Sequence, residues 1–271
     1  MASSAALRCE TAEVTWALDL DGVVWLGDRP IAGSADAIAR LRAAGETVLF
    51  VTNNSFGRRS DVVAKLGRHG IDAGDDVLTS AMAAARLVEP GSRALVCGGP
   101  GVFEELAARD VETIDASEGD GTAVDVVVVG YHPTFDYERM TAAFRAVRAG
   151  ARLLATNDDA TYPKDDGPVP GGGAILASIV RAAGVEPEIA GKPHGPMAEL
   201  VHARAGSDGV MVGDRPDTDG RFAVRLGYRF GLVLSGVTHA DDLPVDPAPE
   251  LVAADLDAMV DSALSGRDRR Q

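Results

Sequence analysis

Trp16-Ala17-Leu18-Asp19-Leu20-Asp21-Gly22-Val23-Val24-Trp25 is the stretch from which the rest of the chain is read. Its first part is apolar, and two aspartates one residue apart follow, then a glycine. Such a run predicts a buried strand that stops at a tight turn, with both carboxylates at the strand's carboxyl end. In an open α/β sheet that edge is where ligands bind. Two carboxylates so close repel each other, which calls for a bound cation or a shared proton. A solvated acidic turn accounts for the same residues, so the remaining sequence has to decide.

Downstream, the pattern alternates. Residues 34–44 predict a helix capped by Ser34 and stopped by Gly45. The apolar run 47–52 predicts a buried parallel strand, which ends in Thr52-Asn53-Asn54-Ser55. A helix over 60–69, a strand over 76–78 and a helix to about Leu87 complete a βαβ rhythm. After Pro90-Gly91 the rhythm restarts: strand 93–97, helix 100–109, a polar loop over 113–123, strand 124–129, helix 137–149, strand 152–156. Residues 157–173 are rich in acids, prolines and glycines, too long for an ordinary connection and lid-like. A helix over 174–183 closes this block, which reads as a second α/β unit inserted in the first. Then come the segment 189–193, helix 196–205, strand 209–213, helix 218–226, strand 228–234, helix 255–265 and a frayed tail over 266–271.

Composition narrows the class. The chain has 271 residues, 46% of them apolar, enough for one large or two modest domains, and no run is long enough to span a membrane. Residues 1–13 lack the apolar core of a signal peptide, and Cys9 and Cys97 have no metal-ligand spacing, so a cytoplasmic location is expected. The net charge of −15, from 41 acidic against 26 basic residues, disfavours nucleic acid or an anionic membrane as partner. Only Lys65, Lys164 and Lys192 are lysines, and Lys192 sits in a Gly-Lys-Pro context.

Four predicted strand ends therefore carry polar groups: Asp19 with Asp21, Thr52 with Asn53, Lys192, and Asp214 with Asp219. A parallel sheet brings such ends to one edge. Carboxylates, one ammonium and hydroxyl or amide donors suit a magnesium ion with a phosphate. Each piece has a plainer reading: an Asp-capped turn for 214–217, a self-satisfied loop for 52–54, a surface lysine for Lys192, packing for Trp25 and Phe56. Their ordered conjunction favours the site.

The four motifs Asp19-Leu20-Asp21-Gly22, Thr52-Asn53-Asn54, Gly191-Lys192-Pro193 and Gly213-Asp214-Arg215-Pro216-Asp217-Thr218-Asp219 resemble those of the haloacid dehalogenase (HAD) superfamily over residues 14–263. Thr156-Asn157 and Gly171-Gly172-Gly173 add similarity to its NagD and p-nitrophenyl-phosphatase branch, which carries a large α/β cap. The resemblance implies an α/β fold: a doubly wound parallel-sheet core, residues 1–84 and 185–271, with a smaller cap domain inserted over 85–184. It implies Asp19 as nucleophile and Asp21 as general acid and base. Magnesium would be held by the Asp19 carboxylate, the Asp21 carbonyl and Asp214. Thr52, Asn53 and Lys192 would hold the phosphate, with Asp219, Asn54 and Gly22 in support.

Asp21 also sorts the chemistry, because an ester oxygen leaving group wants an acid there whereas carbon–halogen cleavage does not. The expectation is magnesium-dependent hydrolysis of small phosphomonoesters: glycerol phosphate, sugar phosphates, nucleoside monophosphates or pyridoxal phosphate, with p-nitrophenyl phosphate as a generic substrate. A phosphomutase and a catalytically silent phosphometabolite-binding protein are the alternatives, and the resemblance makes a homodimer through the cap plausible. Two departures stand out. Asn157-Asp158-Asp159 replaces the usual Asn-Pro-Asp, which bears on the stiffness of the cap loop, and Gly220-Arg221 replaces an apolar pair, with Arg221 expected on a helix surface.

Overall fold

The computed structural model describes residues 14–119, 123–162 and 167–268. Cys9, the stretch 1–13 and Lys164 lie outside these, so the readings made on them do too.

Two parallel sheets organise the chain. The larger has six strands in the order Leu251–Ala253, Arg229–Val233, Gly209–Gly213, Thr15–Leu18, Thr47–Thr52, Val77–Thr79. From Thr15–Leu18 the chain first winds outward through Thr47–Thr52 and Val77–Thr79. It then returns to the other side through Gly209–Gly213. The reversal of winding beside Thr15–Leu18 leaves a crevice at the carboxyl ends, the usual ligand position in a doubly wound sheet. The central strands are apolar almost throughout because both faces are covered. Trp16 and Leu18 pack under helices Ser34–Ala43 and Leu256–Asp268, while Ala17 faces the opposite layer.

The smaller sheet has the order Glu188–Ile189, Arg152–Ala155, Val126–Val129, Arg93–Cys97, Glu112–Asp115, again all parallel. Helices Tyr137–Arg148 and Gly172–Ala183 cover its outer face. Its inner face is continuous with the core of the larger sheet through helix Ser80–Ala85.

Several local expectations are corrected. The edge strand Glu112–Asp115 takes up the start of the polar stretch expected to be a loop over 113–123, and its pairing with Arg93–Cys97 supplies what its own residues do not signal. A further edge strand, Leu251–Ala253, was not expected. The helix expected over 218–226 is one π-turn, Pro216–Gly220, followed by the α-helix Arg221–Leu226. The closing helix runs on to Asp268, past the start of the tail expected to fray. The lid-like stretch holds a short antiparallel pair, Thr161–Tyr162 with Val169–Pro170. Arg221 is exposed, as the helix-surface reading has it. Among the described residues no helix is long and apolar enough to cross a membrane.

Candidate active site

The first strand delivers Asp19 to the crevice with its N–H bonded to the Val212 carbonyl at 2.9 Å, so the neighbouring strand fixes its position. Lys192 is the organising cation. Its Nζ lies 2.7 Å from Asp19 Oδ1 and 2.7 Å from Asp219 Oδ1, and its side chain is only 2% exposed. Burial alone would drive an ammonium toward neutrality, but the two carboxylates hold Lys192 protonated well above its ordinary range. Two of its three N–H donors are thereby used, leaving one for a substrate oxygen.

Asn53, at the end of strand Thr47–Thr52, sets the Lys192 main chain from both sides. Its Oδ1 accepts from the Lys192 N–H at 2.8 Å, and its Nδ2 donates to the Lys192 carbonyl at 2.9 Å. The second Nδ2 hydrogen goes to Asp159 Oδ2 at 3.0 Å, so the side-chain amide is fully engaged. Thr52 Oγ1 accepts from the Asn54 N–H at 3.0 Å, which still leaves its hydroxyl hydrogen free to donate. Asn54 uses its own Oδ1 to hold the Phe56 N–H at 3.1 Å, and its Nδ2 donates to the Tyr162 hydroxyl at 3.0 Å.

Asp214 follows strand Gly209–Gly213. Its Oδ2 accepts from the Val237 N–H at 2.6 Å, while Oδ1 is buried with no hydrogen-bond partner. Gly22 and Gly236 make the cradle. A Cβ on Gly22, which also has φ of 84°, would sit 2.3 Å from Asp214 Oδ2, and one on Gly236 would sit 1.9 Å from it. Asp219, in the π-turn, accepts at its Oδ2 from the Arg215 N–H at 3.2 Å. Carboxylate oxygens of Asp19, Asp214 and Asp219 all lie within 4.8 Å of one another.

Three buried carboxylates against one ammonium leave an excess of negative charge. Burial, then the charges of Asp219 and Asp19, push the Asp214 carboxyl up to about 8. Burial pushes Asp219 to about 6 against the pull of Lys192. An unpartnered carboxylate oxygen in a negatively charged oxygen-lined crevice fits a hard dication such as magnesium, with Asp19 and Asp214 as direct ligands. Asp21 is turned away from this cluster: its Oδ1 accepts from Trp25 Nε1 at 3.0 Å. Burial raises its carboxyl above the ordinary range, the direction a proton donor at neutral pH needs.

These raised values make a prediction with a definite sign. Asp214 binds its proton more tightly folded than unfolded, so that contribution to stability is present at low pH and lost as pH climbs toward 8. A bound dication takes over the proton's role. The rise in Tm on adding excess magnesium should therefore be small near pH 5 and on the order of 5–10 °C near pH 8, measured by thermal melting with and without the metal. An equal shift at both pH values would contradict it.

All the residues expected from the sequence to form a site meet in this one cleft: Asp19, Asp21, Gly22, Thr52, Asn53, Asn54, Lys192, Asp214 and Asp219. Sequence reasoning gave no individual role to other groups that line it, notably Tyr131, Asp159, Thr218 and Val237. Tyr131 stacks on Tyr162 with ring centroids 4.5 Å apart. Asp159 stood in the sequence reading only as part of the lid-like stretch 157–173 and of a departure from a family pattern. Its carboxylate reaches Asn53 and lies 3.5 Å from Thr218 Oγ1. Phe56 packs edge-on against Tyr131, and Trp25 is a hydrogen-bond donor as well as a packing residue.

Two family models match the chain, one of haloacid dehalogenase-like hydrolases over residues 16–112 and one described as HAD-hydrolase-like over 189–259. The chain is 36% identical over 233 residues to a D-glycerol 3-phosphate phosphatase of Mycobacterium tuberculosis, covering 83% of this chain and 64% of that protein's length. It is 34% identical over 240 residues to an acid sugar phosphatase of Staphylococcus saprophyticus, covering 86% and 90% of the two chains. Among solved structures, a glycerol phosphate phosphatase from Mycobacterium tuberculosis in complex with magnesium superimposes with a TM-score of 0.82 at 34% identity, over 91% of this chain and 76% of that one.

Proposed function

Because the chain belongs to the haloacid dehalogenase-like hydrolase family, we propose that it hydrolyses phosphomonoesters of small metabolites with the help of magnesium, through an aspartyl-phosphate, an acyl phosphate, formed on Asp19. The observation that carries this reading is the Lys192 ammonium between Asp19 and Asp219, beside an Asp214 oxygen with no partner. A lysine spent on two carboxylates aims the nucleophile and works against the burial that raises its carboxyl above the ordinary range. The orphaned oxygen leaves a position for the ion.

Asp19 attacks phosphorus, and the bond from phosphorus to the leaving oxygen breaks as Asp21 delivers its proton to that oxygen. Asp21, now a carboxylate, takes a proton from water; the water oxygen attacks phosphorus, the Asp19 oxygen departs and inorganic phosphate is left. Magnesium, held by Asp19, Asp214 and the Asp21 carbonyl, would offset the repulsion between a carboxylate nucleophile and a phosphate dianion. The Thr52 hydroxyl and the remaining Lys192 N–H hold phosphoryl oxygens. Asn53 takes part by setting the Lys192 main chain, with Gly22, Asn54 and Asp219 in support.

In this reading the core spans 1–84 and 185–271, and the inserted block 85–184 is the cap that selects the substrate. A cytoplasmic location belongs to it, in keeping with the buried free thiol of Cys97, and so does a homodimer formed through the cap. The net charge of −15 argues for a small-molecule partner rather than nucleic acid. Phosphate release across a panel of glycerol, sugar, nucleoside and pyridoxal phosphates tests the reading. At least one should turn over; EDTA should abolish release and magnesium restore it. Release indifferent to chelation would reject the metal's role, and no release from any ester would reject the activity.

A further inference from the structure

Trp25 belongs to none of the four motifs, yet it touches the general acid. Three successive N–H groups, of Val23, Val24 and Trp25, converge on the Leu20 carbonyl at 3.3, 2.9 and 3.2 Å. The Gly22 N–H reaches the Trp25 carbonyl at 2.7 Å. This turn folds the chain back so that Trp25 Nε1 lies 3.0 Å from Asp21 Oδ1. The indole is 4% exposed and is fixed from behind by helix Arg59–Arg68. Lys65 Nζ stands 4.2 Å from the ring centroid, and His69, just past the helix, lies against the same ring at 6.0 Å. Lys65 also donates to the Gly27 carbonyl at 2.6 Å and sits 3.6 Å from Asp28, tying down the turn between Trp25–Leu26 and Arg29–Pro30.

An indole nitrogen is a donor only and never takes a proton in exchange. The oxygen it bonds must therefore act as an acceptor whether Asp21 is protonated or not. The proton is confined to the other oxygen. A cation over the ring face strengthens the N–H as a donor and holds the ring in plane.

Resting on the reading of Asp21 as the proton donor, we propose that Trp25, backed by Lys65, is a positioning residue that pins Asp21 Oδ1 and so presents the proton on Oδ2 to the leaving group. Trp25→Phe keeps the ring and its contact with Lys65 but removes the donor. Lys65→Met keeps an apolar chain over the indole but removes the charge.

The readout is leaving-group dependence. An alkoxide needs the proton in order to depart, whereas p-nitrophenolate scarcely does. Trp25→Phe should lower kcat/KM for glycerol 3-phosphate by roughly 100-fold, and its loss on p-nitrophenyl phosphate should be at least about tenfold smaller. Lys65→Met should show the same selectivity at smaller size. Lys65 is near the surface, so its variant decides the matter if the tryptophan variant fails to fold. Equal losses on both esters, or no loss in either variant, would overturn the assignment. A wild-type protein that hydrolyses neither ester would instead bring down the phosphatase reading itself.

Discussion

Asp19→Asn should give a folded protein whose hydrolysis of p-nitrophenyl phosphate is slower by at least about 10³-fold. The amide is nearly isosteric with the carboxylate, and its oxygen can still accept from Lys192 Nζ, which lies 2.7 Å from Asp19 Oδ1. The strand position is set by the main-chain bond to Val212, which the substitution leaves alone. What disappears is the nucleophile, together with one of the charges that attract the dication. Acid quenching with radiolabelled substrate should trap phosphate on the wild-type chain and none on the variant. A variant that retains full turnover would remove Asp19 from the covalent step.

Lys192→Met should be the most damaging single change to the folded state. The ammonium is the only cation in hydrogen-bond contact with Asp19 and Asp219 among the described residues, and both carboxylates are buried. Removing one partner of a buried ion pair costs about 3–5 kcal/mol, because the charge left behind has no water to replace it. In a chain of this size that corresponds to a fall in Tm of about 10 °C, with hydrolysis lost as well. The deficit should shrink as pH is lowered, since Asp219, already pushed up to about 6 with the lysine present, then takes a proton instead. Melting curves near pH 5 and pH 8 measure this directly. A variant melting like the wild type at both would show that Lys192 does not hold these carboxylates together.

The readable parts of the chain were those whose environment leaves a direct trace in residue type. Strands Thr15–Leu18, Thr47–Thr52 and Gly209–Gly213 are buried on both faces, so they are apolar almost throughout and announce themselves. Edge strands carry no such obligation. In Glu112–Asp115 no residue is fully buried, and its polar residues look like a loop until Arg93–Cys97 is found beside it. The same holds for Leu251–Ala253, whose Val252 is exposed. The convergence of Asp19, Thr52, Lys192 and Asp214 could be foreseen because a parallel sheet puts strand ends on one edge. Asp159 and Tyr162 could be foreseen only as members of a lid-like stretch and not one by one, because they reach the cleft from a loop of the smaller sheet whose position depends on how the two sheets pack. Trp25 was concealed for a different reason: within an apolar run an indole reads as packing, and nothing local shows that its N–H bonds a carboxylate four residues back.

Four hydrogen bonds join the loop 53–55 to residues 156–162. Ser55 Oγ meets Thr156 Oγ1 at 2.8 Å, Asn157 Nδ2 reaches the Asn53 carbonyl at 2.8 Å, and Asp159 and Tyr162 bind the side chains of Asn53 and Asn54. The segment that covers the cleft is thus wired to the same amide that sets the Lys192 main chain. A guest molecule too bulky for residues 156–162 to settle over it would lose more than its cover. It would also leave Asn53, and through it the lysine, imperfectly set. In the proposed reaction, misfit would then slow turnover as well as loosen binding, and the enclosure would act as a size gauge felt at the reacting atoms.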